Sequence, residues 1–216
     1  VQWCRDALEK GAGRGAALVV NSGNSNAFTG PKGALKNEAT LTAMVATLSV
    51  DKDQCFLAAT GVIGEPLDDA NYVGSIVPNL ADRLSEPDWE ACAKAFMTTD
   101  TFPKGAGFVR EIGRGSTTFS GISMWSGMIA PNMATMLAYV FTDAAIAPTL
   151  LDTALREACA QSFNAITVDS DTSTSDSLMV FAAGANGAGP IENEPDPRIA
   201  EFKSALNDIC LELALQ

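Results

Sequence analysis

Along the 216 residues, short solid apolar runs take turns with segments in which apolar residues recur every three or four positions. The run "ALVVN", Ala17 to Asn21, is apolar at successive positions and opens into a Gly/Asn/Ser stretch, which predicts a buried strand entering a loop. Residues 35 to 48, "LKNEATLTAMVATL", carry helical spacing. "QCFLAATGVIG", 54 to 64, predicts a second buried strand that ends in a glycine-bracketed turn. Helices are predicted near 68–84 and 87–98, the second opened by "EPDWE" with a proline in its first turn. "GFVREI" and "STTFSGIS" predict a hairpin across "GRG", and "TMLAYVFTD" a further strand. A helix from about 148 to 163 precedes the polar loop "DSDTSTSDS", the strand "LMVFAAG", and a last amphipathic helix from about Arg198 onward. Strands and helices interleave, so the fold class is α/β or α+β with layered packing. The first residues, "VQWCRDALEK", already follow a helical pattern and the last helix stops at Gln216 without a cap, which leads us to expect a piece of a longer chain.

Composition narrows the chemistry. A chain that is 47% apolar and 19% charged has a real core, as one large domain or two intimately packed halves. The net charge of −12 argues against nucleic acid and against anionic membrane surfaces, which reward a basic face. No apolar run approaches a membrane span, and the first residues do not read as a signal peptide. Five cysteines without a CxxC pair support neither a zinc ribbon nor a disulfide framework, so no metal is expected and a reducing, cytoplasmic home is. There is no histidine, which excludes Ser-His-Asp or Cys-His catalysis within this chain. A general base for acyl transfer must then be a carboxylate, a lysine or an α-amine.

Thr135 sits inside "GMIAPNMATML", behind the small residue Ala134 and at the head of a strand. One reading is a β-former with a satisfied hydroxyl. The other is a nucleophile freed by cleavage before it, whose α-amine, with a reference pKa of about 7.7–8, takes the hydroxyl proton. The turn "ATGVIG" offers the Thr60 hydroxyl and the Gly61 amide as oxyanion donors, or is simply a strand-end glycine turn. "TTDT", from Thr98, reads as a polar-substrate contact or as a helix-terminal turn in which Asp100 bonds nearby amides. "DTSTSD", Asp171 to Asp176, lacks EF-hand spacing and reads as a solvated turn, and the GxGxxA at Gly11 to Ala16 precedes its strand, so it too is a turn.

In order, "VVNSGNSNAFTG", "ATGVIG", "MTTDTFPK", "SGMIAPNMATMLAYVFTD" and "ITVDSDTSTSD" resemble successive motifs of the bacterial and fungal ornithine acetyltransferases, the glutamate N-acetyltransferases of the cyclic arginine pathway. The resemblance runs over nearly the whole chain and corresponds to the middle of longer family members. It implies an N-terminal-nucleophile-like fold, with β-sheet layers flanked by helices in the topology shared with certain aminopeptidases. It also implies self-cleavage between Ala134 and Thr135, giving a 1–134 α-chain-like half and a 135–216 stretch that begins the β-chain-like half. By the same resemblance Thr135 is the nucleophile that carries acetyl from N-acetylornithine to glutamate, Thr60 and Gly61 the oxyanion pair, and Thr98 a substrate contact. No cofactor is implied, although acetyl-CoA serves some members as a co-substrate. The implied partners are the small-molecule substrates and the complementary chain, in a homo-oligomer of the two-chain unit, with a mitochondrial matrix location if the source is fungal.

The chain departs from the family pattern just before the cleavage block. Where the family reads Ala-Lys-Gly-Ser-Gly, with the lysine contacting substrate, this chain reads "SMWSG", so Met124 replaces the lysine and Trp125 a glycine. Ser170 and Ser175 stand where Gly and Asn are usual, and Lys104 is the nearby cation that offers itself as a substitute. Two other readings follow from these changes: an amidohydrolase or aminopeptidase of the same fold, and a catalytically inactive relative that acts as a binding partner.

Overall fold

β1 (Ala17–Asn21) and β2 (Cys55–Ala59) pair in parallel, with Ala17 opposite Cys55 and Asn21 opposite Ala59. Parallel neighbours require a crossover, which α2 (Gly30–Leu48) supplies. The computed structural model describes residues 1–85, 87–126, 136–166 and 176–216. The chain divides into two compact units, Val1–Thr98 and Thr99–Gln216. The expected 1–134 and 135–216 halves concern a covalent cut, which packing does not report.

In the first unit α1 (Gln2–Lys10) is tied to β2, since the Trp3 ring N–H donates to the Cys55 carbonyl at 2.9 Å and the Cys4 thiol to the Leu57 carbonyl at 3.1 Å. Leu41 and Met44 of α2, Cys55 of β2 and Val77 of α3 (Tyr72–Ala81) form the buried core. α2 begins at Gly30, one turn and more before the apolar spacing predicts. The "GPKG" stretch reads as a loop because of its glycines, yet Pro31 suits a first helical turn, where its missing N–H costs nothing. Gly33 leaves room for Thr29: a Cβ there would lie 1.9 Å from the Thr29 hydroxyl oxygen and would displace that side chain. α4 (Trp89–Phe96) is shorter than predicted and is capped by Asp88, whose carboxylate accepts the Ala91 amide at 2.8 Å.

The second unit is a four-stranded sheet in the order β3 (Lys104–Ile112), β4 (Gly115–Trp125), β5 (Met136–Thr142), β6 (Ser177–Ala182). β3 and β4 are the predicted hairpin, lengthened at its open end to pair Lys104 with Ser123. β5 runs antiparallel to β4 and parallel to β6, with α5 (Pro148–Gln161) in the β5–β6 connection. α5 and α6 (Arg198–Ala214) cover the face carrying Phe119, Met136, Ala138 and Val140, with Phe202, Leu206 and Ile209 of α6 fully buried against it. The alternate positions Ile122, Met124, Leu137 and Tyr139 are buried too, which is why β5 reads as a solid apolar run. The interleaved sheets and helices are the α/β (α+β) class predicted from the sequence.

Candidate active site

β2 ends where the chemistry begins. The Thr60 amide donates to the Asn21 carbonyl at 3.0 Å, the last rung of the β1–β2 ladder, and the Thr60 side chain is buried. Gly61 then turns with φ +115°, a conformation closed to ordinary L residues. Its α-carbon presses on the loop that leaves β1: a Cβ would stand 2.3 Å from the Gly23 carbonyl carbon and 2.7 Å from the Asn24 nitrogen. Two further backbone bonds, Val62 N–H to the Gly23 carbonyl (3.2 Å) and Ser25 N–H to the Val62 carbonyl (2.9 Å), lock loop and turn together. Among the described residues the Gly61 amide meets no hydrogen-bond acceptor. The buried Thr60 side chain and the Gly61 amide thus stand next to each other at the end of β2.

Asparagines brace this turn. The Asn21 side-chain amide donates to the Asn24 carbonyl at 3.0 Å, and that of Asn24 to the Glu65 carbonyl. From α2, Lys36 reaches in and donates to the side-chain oxygens of Asn21 (3.1 Å) and Asn24 (3.4 Å). Burial pulls its ammonium below the usual lysine range. Ser22 donates its hydroxyl to the Met97 carbonyl at 3.1 Å, so the chain leading to exposed Thr98 is tied to the same loop. Thr60, Gly61 and the approach to Thr98 are thus built on one framework.

In the second unit, Ala134 and Thr135 lie outside the described residues, as do residues 171–175 of the acidic loop and the positions Ser170 and Ser175. Met136, covalently next to Thr135, opens β5, and its amide donates to the Asp176 carboxylate at 2.8 Å. The parallel register, Leu137 opposite Ser177, brings these two together. Across the antiparallel side, Met136 pairs with Trp125 and Leu137 with Met124.

Trp125 is fixed at both ends. Its backbone amide donates to Asp100 at 3.0 Å and its ring N–H to the Leu213 carbonyl at 3.2 Å. Lys104 lies over its ring, 5.1 Å from the centroid, and 4.8 Å from that of Phe102. Lys104 and Asp100 are both buried and meet at 2.6 Å. Asp100, expected to bond amides of its own turn, instead receives the amide of Trp125 from β4 together with the Lys104 ammonium. Lys104 is not an open replacement for the family lysine, since its charge is already matched by Asp100. Met124 is buried, 1% exposed, on the face opposite the α5–α6 core.

Four of the five cysteines are poor nucleophiles where they stand. Burial pushes the thiols of Cys4, Cys55 and Cys159 up, and that of Cys210 to about 12, so these sulfurs stay protonated and inert. Among the described residues no group of three or more acidic or thiol side chains is arranged to hold a metal. No described helix is long and apolar enough to cross a membrane. Lys36, Asn21, Asn24 and Asp176 carry no role that local sequence pattern marks. The asparagines stand within "VVNSGNSN", whereas Lys36 reads as an ordinary surface lysine.

The ArgJ family model matches residues 1–216. The chain is 48% identical over 221 residues to the arginine biosynthesis bifunctional protein ArgJ of Bradyrhizobium diazoefficiens, covering all of this chain and 52% of that protein. It is 48% identical over 219 residues to the protein of the same name from Agrobacterium fabrum, again covering all of this chain and 52% of the relative. The chain thus spans about half the length of the curated relatives it matches. The crystal structure of arginine biosynthesis bifunctional protein argJ from Bacillus halodurans superposes with a TM-score of 0.52 at 27% identity, covering 63% of this chain and 69% of that one. The N-terminal-nucleophile-like class implied by the motifs agrees with that neighbour, and the full-length family match shows that the chain belongs to the ArgJ family.

Proposed function

We propose that this chain carries the nucleophile-bearing part of a glutamate N-acetyltransferase that moves acetyl from N-acetylornithine to glutamate. The observation that carries the reading is the family match across all 216 residues, together with 48% identity to bifunctional arginine-biosynthesis proteins. The buried Thr60 and the uncommitted Gly61 amide support it.

The peptide bond between Ala134 and Thr135 is cut, and the freed α-amine of Thr135 becomes the general base. The Thr135 hydroxyl attacks the acetyl carbonyl of N-acetylornithine while the α-amine takes its proton. Thr60 hydroxyl and Gly61 amide donate to the oxyanion of the tetrahedral intermediate. Collapse breaks the amide C–N bond, the α-ammonium returns its proton to the departing ornithine amine, and acetyl-Thr135 remains. The glutamate amine then attacks this ester, a second oxyanion forms, and the Thr135 oxygen leaves with a proton relayed by the α-amine. Thr98 contacts substrate, and acetyl-CoA serves as an alternative acetyl donor. The working unit is the pair of chains made by the cut, assembled as a homo-oligomer in the cytoplasm.

The test is direct. Intact mass of the full-length protein is expected to show a new N-terminus at Thr135, and N-acetylornithine an acetyl adduct on the Thr135 peptide that glutamate discharges faster than water does. Thr135→Ala abolishes both cleavage and turnover, whereas Thr135→Ser keeps some of each. Turnover retained in the alanine variant refutes the assignment.

A further inference from the structure

Two lysines of this chain are buried to the same degree and treated oppositely. Lys104, 4% exposed, meets the Asp100 carboxylate at 2.6 Å. Lys36, 5% exposed, has only the neutral side-chain oxygens of Asn21 and Asn24, and among the described residues no carboxylate lies within ion-pair range of it. Lysine is almost never buried without a counter-charge, because desolvation of the ammonium is costly. It lies on the buried stripe of α2, with Gly33, Thr40, Leu41 and Met44. Such a position packs well with an apolar side chain, so a charge there is a feature that packing alone does not call for.

What the charge acts on follows from the bonds around it. Both asparagines turn their oxygens to the Lys36 ammonium and their N–H groups away from it, toward the carbonyls of Asn24 and Glu65. Asn21 accepts the Thr60 amide on its backbone carbonyl, and the Asn24 backbone packs directly on Gly61. The amide dipoles thus lead from the ammonium to the turn whose Gly61 amide has no acceptor among the described residues. In a low-dielectric surrounding an unmatched cation acts strongly on charge that develops nearby, and a fixed one needs no reorganisation when that charge appears.

We propose that Lys36 is a positioning residue whose unmatched positive charge, delivered through Asn21 and Asn24, primes the Thr60–Gly61 turn for an oxyanion. The proposal rests on the reading of Thr60 and Gly61 as oxyanion donors. It predicts a separation of stability from rate. Replacing an unmatched buried ammonium by a neutral side chain of similar length relieves a desolvation cost, so the fold is kept or strengthened while the transfer step slows.

The experiment uses the full-length protein, with wild type, Lys36→Met and Lys36→Gln compared. Single-turnover acetylation of Thr135 by N-acetylornithine is followed by intact mass and referred to the cleaved fraction, beside KM and thermal unfolding. Methionine removes charge and hydrogen bonding, whereas glutamine removes charge and keeps a donor. Both variants are expected to acetylate at least tenfold more slowly, with KM within threefold of wild type and Tm equal or higher. Acetylation within twofold of wild type in either variant overturns the proposal. So does a rate loss accompanied by a falling Tm, a folded variant that stays uncleaved, or failure of both variants to fold, since each assigns Lys36 to the fold instead of the transfer step. A wild type that forms no acetyl-Thr135 overturns the acetyl-transfer reading and the Lys36 role with it. A wild type that does so, beside variants that match it, overturns the Lys36 role alone.

Discussion

Gly61 lies against Gly23 so closely that a Cβ on Gly61 would stand 2.3 Å from the Gly23 carbonyl carbon and 2.6 Å from its oxygen. The contact is between two backbones, so neither side relieves it by a rotamer change. It holds the turn after β2 to the loop after β1, and with it the Thr60 hydroxyl and the Gly61 amide.

Gly61→Ala therefore meets two costs. The positive φ of 115° strains any L residue, and the methyl group overlaps backbone. Strain of about 1–2 kcal/mol and overpacking of about 1–3 kcal/mol combine to a loss on the order of 3 kcal/mol. Urea unfolding measures it, and acetyl transfer is expected to be lost along with the turn geometry. A variant as stable as wild type would show that loop and turn are free to separate.

Asp176 accepts the amide of Met136, the residue bonded directly to Thr135. A charge-assisted bond of this kind is worth about 1.5–3 kcal/mol, and its removal lets the head of β5 drift. Asp176→Ala is expected to lose that much stability and to slow the appearance of the new N-terminus at Thr135. Asp176→Asn, which keeps an oxygen acceptor, is expected to lose less of both. Equal cleavage kinetics in all three proteins would leave Asp176 without a part in placing the nucleophile.

The elements were legible where local pattern and tertiary role coincide. "TMLAYVFTD" reads as a buried strand because β5 is central, with β4 on one side and β6 on the other. "PTLLDTALREACAQ" reads as a helix from its spacing and from Pro148 at its start. The first turn of α2 was hidden because the signals that mark loops, glycine and proline, here serve a helix start and a close contact with Thr29. The start of β3 was hidden because Lys104 and Gly105 are poor strand residues by type, and it is pairing with β4 that makes them strand. For the candidate site, Thr60, Gly61 and Thr98 were named by motif resemblance alone. The Asp176–Met136 bond depends on β6 lying parallel to β5, a topological fact that no local pattern carries. Lys36 belongs to the same class, since a lysine within a helical pattern looks solvated until the sheet it faces is known.

Asp100 and Lys104 form a buried pair that also anchors the Trp125 amide. Removing one partner leaves an uncompensated charge, at a cost of about 3–5 kcal/mol, whereas removing both as apolar residues is often neutral. Lys104→Met is expected to fall in that range. Asp100→Leu combined with Lys104→Met recovers most of it, short of about 1 kcal/mol for the lost Trp125 bond. A double-mutant cycle by urea unfolding gives the coupling, and a coupling near zero would mean that solvent screens the pair.

The last prediction turns on the sign of the Lys36 titration. Burial holds its ammonium below the usual 10.5, so folding penalises the charged form. Below the lowered folded-state value both folded and unfolded chains hold the proton, and the penalty is full and constant. Between that value and 10.5 the unfolded chain holds a proton that the folded chain has released, so the Lys36 contribution to stability rises with pH. Asn21 and Asn24, its polar partners, do not titrate and do not alter the sign. Lys36→Met lacks this dependence. Its stability minus that of wild type is therefore expected to be positive near neutral pH and to shrink as pH climbs toward 10.5. Urea unfolding of both proteins across that range measures the difference. A gap that stays constant, or widens with alkali, would mean that the Lys36 ammonium is compensated in the folded chain.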